Sequence, residues 1–336
     1  MGASRRDSLR LLVTGMAALG LNRPGLGAAE PPPETPRLRL SRVPSACVAP
    51  QYVARALLEA EGFHDVQYIG EGTSQSGLPG ARAMGAGETD IATNFAAPLV
   101  LALDAGVPIV VLGGVHAGCF ELIGTRAVHA VRDLKGKTVA TLGQGSAQHV
   151  FLSSILASVG IDPAHHVRWL DLPGAASKRR LADGSIDALL AFPPDGQELR
   201  AGKVGHVLLN SATERPWSQY FCCLVVANRD FARRNPMATR RAMRAILKAS
   251  ELCATDPDLG AMAYAAQGFG NDPQFVRQAI AELPYGRWRD LDPEETVRFY
   301  ALRLREAGMV KAAPQKLIAQ GTDWRIFEQL KREMKT

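Results

Sequence analysis

From Arg37 onward, apolar positions along this chain switch repeatedly between a period of two and a helical period. Leu38-Arg39-Leu40-Ser41-Arg42-Val43 alternates and predicts a strand. Tyr52 to Glu61 places Tyr52, Ala56, Leu57 and Ala60 on one face and predicts a helix. A strand at Val66–Ile69, a helix at Pro79–Gly85, a strand at Ile91–Thr93 and a helix at Ala97–Asp104 follow. Ile109-Val110-Val111-Leu112 has no polar face, which predicts a central, parallel strand. A second cycle predicts strands at Thr138–Thr141, Val167–Leu170, Ala188–Phe192 and Val207–Leu209, with helices at Ser146–Val159 and Ala175–Leu181. Leu224–Ala227 reads as a return crossing, and the chain from Pro236 on as amphipathic helix. There, Asp256-Pro257, Asp272-Pro273 and Asp292-Pro293 each fit a helix start, with Asp as cap and Pro in the first turn.

One pattern occurs twice. Ala83-Met84-Gly85-Ala86-Gly87-Glu88-Thr89-Asp90-Ile91-Ala92 returns as Arg180-Leu181-Ala182-Asp183-Gly184-Ser185-Ile186-Asp187-Ala188-Leu189. Each copy reads as a helix end, a left-handed Gly stop (Gly87, Gly184), a turn carrying Asp, and a buried strand. Asp90 and Asp187 are expected to bond the exposed amides of their own turns. Ligands of α/β sheets sit beyond the carboxyl ends of strands, so two such ends point to two similar lobes facing one cleft. One doubly wound domain with two ordinary αβ turns would give the same pattern.

Composition narrows this picture. Residues 1–29 have a basic start with Arg5-Arg6, an apolar stretch from Leu11 to Leu21, and Gly27-Ala28-Ala29 before Glu30. That is the layout of a cleaved, twin-arginine-like export signal, and the stretch is too short for the roughly 20 residues of a membrane span. Residues 30–36, rich in proline, read as an unstructured lead-in. A formal charge of +6, part of it in the signal, and no basic stripe interleaved with aromatics exclude nucleic acid as a partner. No later apolar run spans a bilayer, so no stable membrane insertion is expected of the mature chain. Five cysteines form no zinc-site spacing, and buried, inert thiols are expected, with no metal and no cofactor. His165-His166 lacks a third ligand and is expected on an exposed loop.

Four segments carry a family resemblance: Ala105–Val111, Asp133–Ala140 ahead of a Gly/Ser-rich turn, Leu181–Ala188 and Val226–Pro236. In order and spacing they resemble the periplasmic solute-binding proteins of nitrate/sulfonate/taurine-type ABC importers, in the branch that includes thiamine-pyrimidine-precursor proteins. The resemblance spans roughly Arg37 to Pro257. It implies an α/β, two-lobed, type II periplasmic-binding-protein fold, each lobe a mixed sheet flanked by helices. Residues 37–124 with 223–336 would form lobe 1, and residues 125–222 lobe 2. There are two departures. The first helix runs straight into Gly62-Phe63-His64-Asp65-Val66, and the Cys-Cys-Cys-Phe-Cys iron motif of fungal relatives is out of register with Trp217-Ser218-Gln219-Tyr220-Phe221-Cys222.

Within such a cleft, Gly145, Ser146, Ala147 and Gln148 form the strongest local candidate. Glycines permit a tight turn, Ser146 can cap, and free amides at a helix start attract an anion. Ser45 and Cys47 follow the first strand; Thr73, Ser74 and Gln75 follow the second and offer polar donors. Asn94, Phe95 and Phe192 end the repeated strands, and one aromatic from each lobe could sandwich an organic body. His116 and Trp217 complete the candidate ligand-binding set. The expected function is capture of a small, organic anion in the periplasm and its delivery to a cognate ABC permease and its ATPase. Closure is expected about strands near Leu122–Thr125 and Cys223–Val225. A periplasmic sensor partner, or an enzyme with Cys47 or Cys119 as nucleophile and His116 or His149 as base, would use the same scaffold.

Overall fold

The computed structural model describes residues 30–71 and 76–334. The expected export signal, and Thr73, Ser74 and Gln75, lie outside the described residues. The chain divides after Pro31, and the unit from Pro32 on carries the fold.

Among the described residues, ten strands form in chain order: β1 (Arg37–Ser41), β2 (Asp65–Ile69), β3 (Ile91–Phe95), β4 (Ile109–Ala117), β5 (Glu121–Gly124), β6 (Thr138–Thr141), β7 (Arg168–Asp171), β8 (Ala188–Ala191), β9 (His206–Asn210) and β10 (Phe221–Asn228). They build two five-stranded sheets, in the orders β2-β1-β3-β10-β4 and β7-β6-β8-β5-β9. In each, three parallel strands are followed by one antiparallel strand and then an outer strand antiparallel to it. The fourth place is filled by a strand arriving from the other sheet, β10 in one case and β5 in the other. The sequence repeat is therefore a structural repeat, and the fold is two-lobed α/β.

Helices α1 (Ala49–Ala60), α2 (Gly77–Gly85), α3 (Ala96–Asp104), α4 (Ala147–Ser158), α5 (Gly174–Ala182) and α6 (Asp195–Ala201) connect the strands. The remaining helices, from Arg229 to Glu333, include Pro257–Ala265, Pro273–Glu282 and Pro293–Glu306, whose caps Asp256, Asp272 and Asp292 accept backbone amides as expected.

The chain changes sheets at Gly118–Phe120 and returns over Ser211–Tyr220. Glu121–Gly124 pairs in the second sheet, so the change comes earlier than a division at 124/125, while Cys222 already lies in the first sheet. The two crossings are stitched together. The Ser211 hydroxyl accepts the amides of Cys119 (3.0 Å) and Phe120 (2.9 Å). Gly118 (φ +45°) runs so close to Ala212 that a Cβ would lie 2.1 Å from its Cα.

Three expectations need correction. First, Asp90 and Asp187 do not bond their own turns. The Asp90 carboxylate accepts the Arg39 backbone amide (2.8 Å) and its guanidinium (2.6 Å) from the neighbouring β1. Asp187 accepts the Thr138 amide of β6 (2.8 Å) in the same way and pairs with Lys137 (3.4 Å). Each Asp thus locks a parallel strand to its neighbour, where the slanted ladder leaves an amide free. Gly87 (φ +85°) and Gly184 (φ +77°) are the left-handed stops expected.

Second, β4 is neither central nor parallel; it is the outer strand, antiparallel to β10. Its apolar run is explained by the C-terminal helices, whose chain covers the open edge: Val111 bridges Thr322, and its carbonyl accepts Asp323 N–H (2.9 Å). Third, the lead-in is docked at Glu34 and Pro36. Glu34 accepts the amides of Met237 (2.9 Å) and Ala238 (2.8 Å), capping the helix Pro236–Thr255, whose own cap residue Asn235 makes no side-chain cap bond. Glu34→Ala is expected to lower unfolding free energy by about 1 kcal/mol, read by urea denaturation.

Candidate functional site

The α4 helix begins where its sequence predicts. Gly143 (φ +107°) and Gly145 (φ +79°) turn the chain after β6, and the Ser146 hydroxyl accepts His149 N–H at 3.2 Å. The His149 Nδ1 in turn accepts Gly145 N–H (3.3 Å), and burial holds its imidazole below the ordinary histidine value. What faces this turn is the start of α2 in the other lobe. Leu78 N–H donates to the Gly145 carbonyl (3.1 Å), and a Cβ on Gly77 would lie 2.9 Å from the Ala147 nitrogen. Asn94 holds Gly77 in place, accepting its N–H and donating to its carbonyl, each at 3.0 Å. At this junction the Ser76 hydroxyl and the Gln148 amide oxygen are buried with no hydrogen-bond partner among the described residues. A polar atom left so is costly unless something else satisfies it.

The second junction lies at the strand ends. Ser45 and Cys47 follow β1 on a short 3₁₀ turn, and the Pro193 carbonyl beyond β8 accepts Ala46 N–H (3.0 Å) and the Ser45 hydroxyl (3.5 Å). Phe95 and Phe192 do come from opposite lobes, but they stack on each other with ring centroids 5.2 Å apart. Phe120, on the crossing, packs against both, and Phe151 stacks on Phe120 at 4.9 Å. Trp217 closes the cluster edge-on against Phe151 (5.4 Å) and Phe299 (5.4 Å). Offset stacking of buried rings makes this an aromatic seam between lobes, with no gap between Phe95 and Phe192 for a flat ligand.

Two cavities flank the junctions. One, small at about 20 Å³, lies at the carboxyl ends of β6 and β8 and is lined by Thr141, Gln148, Ser177, Lys178 and Asp195. Lys178 is already paired with Asp195 (2.7 Å) and Glu198. The other, about 210 Å³ and open to solvent, is lined by Glu121, Arg200, Asn210 and Glu282, among others. Arg200 bridges Glu121 (3.1 Å) and Glu282 (2.5 Å), and burial raises the Glu121 carboxyl. Two acids against one base give it the wrong charge for an anion.

Four cysteines and His116 converge beside the aromatic seam, which their sequence spacing does not reveal. The Cys47 and Cys223 sulfurs lie 4.0 Å apart, and those of Cys119 and Cys222 2.7 Å apart. Cys119 is therefore part of a thiol cluster. Burial pushes the Cys47 thiol up to about 11 and the Cys119 thiol up as well, which works against either as a nucleophile. His165 is exposed, against Asp162 at 2.8 Å, as expected of that loop.

Among the described residues, no helix is long and apolar enough to cross a membrane. No curated protein matches the chain by sequence. Solved structures do match in fold. The alkanesulfonate-binding protein of Xanthomonas axonopodis pv. citri, bound to MOPS, superposes with TM-score 0.66 at 21% identity, covering 88% of this chain and 100% of its own. The periplasmic nitrate-binding protein of Synechocystis PCC 6803 gives 0.72 at 13% identity, with 90% of each chain covered. A Candida albicans gene product with the generic periplasmic binding protein fold gives 0.67 at 12% identity, over 86% of this chain and 96% of its own. The model of the NMT1-like family matches residues 31–268, and the chain belongs to that family.

Proposed function

We propose that this chain is the periplasmic solute-binding component of an ABC importer, which captures a small organic anion between its lobes and delivers it to a membrane permease and its ATPase. Family membership and the sulfonate- and nitrate-binding neighbours support a binding role. The observation that carries the reading is the junction of α2 with the start of α4. There, the Ser76 hydroxyl is buried with no partner among the described residues beside the amides of a helix N-terminus, a place that favours negative charge, and the Gln148 amide oxygen is left to accept from a donor on the ligand. Ser146 would fix that turn, and Gln148 would donate or accept at the ligand. Closure would turn on the stitched crossings at 118–120 and 211–220, and the ligand would drive it by contacting both lobes.

The test is a thermal-shift screen of the chain from Glu30 against sulfonates, carboxylates, nitrate and pyrimidines. A true ligand at about 1,000 times its Kd should add roughly 4 kcal/mol of stability. Ser146→Ala should cost about 1 kcal/mol of stability through the lost cap and weaken the hit. Folded protein with no shift across all four classes would overturn the reading.

A further inference from the structure

The thiol cluster has a division of labour that geometry alone imposes. A ring nitrogen of His116 and the sulfurs of Cys47 and Cys223 lie within 4.8 Å of one another, and all three residues are fully buried. His116 Nδ1 lies 3.0 Å from the Ala117 carbonyl, which only accepts, so Nδ1 carries a proton and Nε2 is the nitrogen left to ligate once deprotonated. That Nε2 is buried with no hydrogen-bond partner among the described residues. A ring held by Nδ1 on a backbone carbonyl, with Nε2 bare and two thiols within reach of the ring, is the arrangement of a metal-ligating histidine. Sulfur spacing agrees. Two bonds of about 2.3 Å to one ion hold their sulfurs 4.0 Å apart at an angle of about 120°. Cys119 and Cys222, at 2.7 Å, are too close to share an ion, since tetrahedral bonds of that length separate sulfurs by about 3.8 Å.

We propose that Cys47, Cys223 and His116 form a binding site for one thiophilic d¹⁰ metal ion, Zn(II) or Cu(I). Thiolate with imidazole is the donor set these ions prefer, and each thiol gives up its proton on binding. The ligands come from the turn after β1, the start of β10 and the end of β4. An ion here would therefore tie β1, β4 and β10 together just behind the aromatic seam. Ala46 and Ser45, beside Cys47, are the residues that bond Pro193 of the other lobe, so loading the site bears on the lobe contact. This site is separate from the anion junction at α2 and α4.

Reduced full-length protein should bind one equivalent of Zn(II) in competition with a chromophoric chelator, or one equivalent of Cu(I) in competition with bathocuproine. Co(II) used as a Zn(II) probe should give thiolate charge-transfer absorption. Loss of an outer-shell partner alone weakens metal sites by about 10- to 100-fold, so Cys47→Ser, Cys223→Ser and His116→Ala should each weaken binding by about 100-fold or more. Cys222→Ser and Cys253→Ser should leave it unchanged. Because a core variant can fail to fold, the wild-type chain supplies a second reading. The ion should slow alkylation of Cys47 and Cys223 in mild denaturant without protecting Cys253, mapped by mass spectrometry. Stoichiometric binding of neither ion by folded, reduced protein would overturn the proposal. So would binding lost in Cys222→Ser and kept in Cys47→Ser, which would move the ion to the Cys119-Cys222-Cys223 group. The anion screen run on metal-free protein tests the transport reading separately.

Discussion

Asp90→Ala is expected to cost about 3 kcal/mol of unfolding free energy, and Asp187→Ala about 1 kcal/mol, although the two residues hold the same place in the repeat. Both carboxylates receive the backbone amide of a neighbouring parallel strand at 2.8 Å, so both substitutions strand a donor. The difference lies in burial and in the second partner. The Asp90 side chain is only 8% exposed, and it takes both Arg39 Nε (3.1 Å) and the terminal nitrogen (2.6 Å), a fork-to-carboxylate pair. Its removal leaves a partly buried amide and a guanidinium without their shared acceptor. Asp187 is 25% exposed and holds Lys137 at 3.4 Å, a contact that water replaces easily. Urea unfolding of the two variants checks the contrast. Equal losses would mean that the amide bond alone sets the cost and the Arg39 pair adds nothing.

The same residues mark what was legible in the sequence. Helix stops, Asp-Pro caps and the Ser146 turn are decided within a few residues, and the structure has them where local chemistry puts them. The partner of Asp90 is not local. Arg39 lies 51 residues away, and only strand pairing brings it across. The apolar face of β4 signalled burial truly but not its source, since its cover comes from residues near Thr322. Phe95 and Phe192 were recognisable as aromatic strand ends, yet whether two rings hold a ligand or each other depends on Phe120, which the crossing inserts between lobes. The thiol cluster was the least visible, because it draws on segments around 47, 116–119 and 222–223 that share no motif spacing.

The contact between α2 and α4 offers the sharpest test of how binding works. Gly77→Ala is expected to weaken ligand affinity by about 100-fold, whereas Gly87→Ala leaves it unchanged. Both glycines have left-handed backbones, φ +61° and φ +85°, so both variants bear the strain of a Cβ there, about 1 kcal/mol. They differ in what the methyl meets. At Gly87 nothing lies within 4 Å. At Gly77 it would sit 2.9 Å from the Ala147 nitrogen and 3.1 Å from the Gly145 carbonyl oxygen, both backbone atoms of the opposite lobe. Neither atom can swing aside as a side chain would, so relief requires the lobes to part. If the bound state needs this approach, the variant must open the junction that the ligand closes, and a 100-fold loss corresponds to about 2.7 kcal/mol. Calorimetric titration with the hit from the thermal-shift screen measures it, with urea unfolding of both variants to remove the common strain. Small-angle scattering should find the ligand-free Gly77→Ala protein slightly expanded and the Gly87→Ala protein unchanged. Equal affinities in the two variants would show that the ligand is held without this contact, and would move the binding site away from the start of α4.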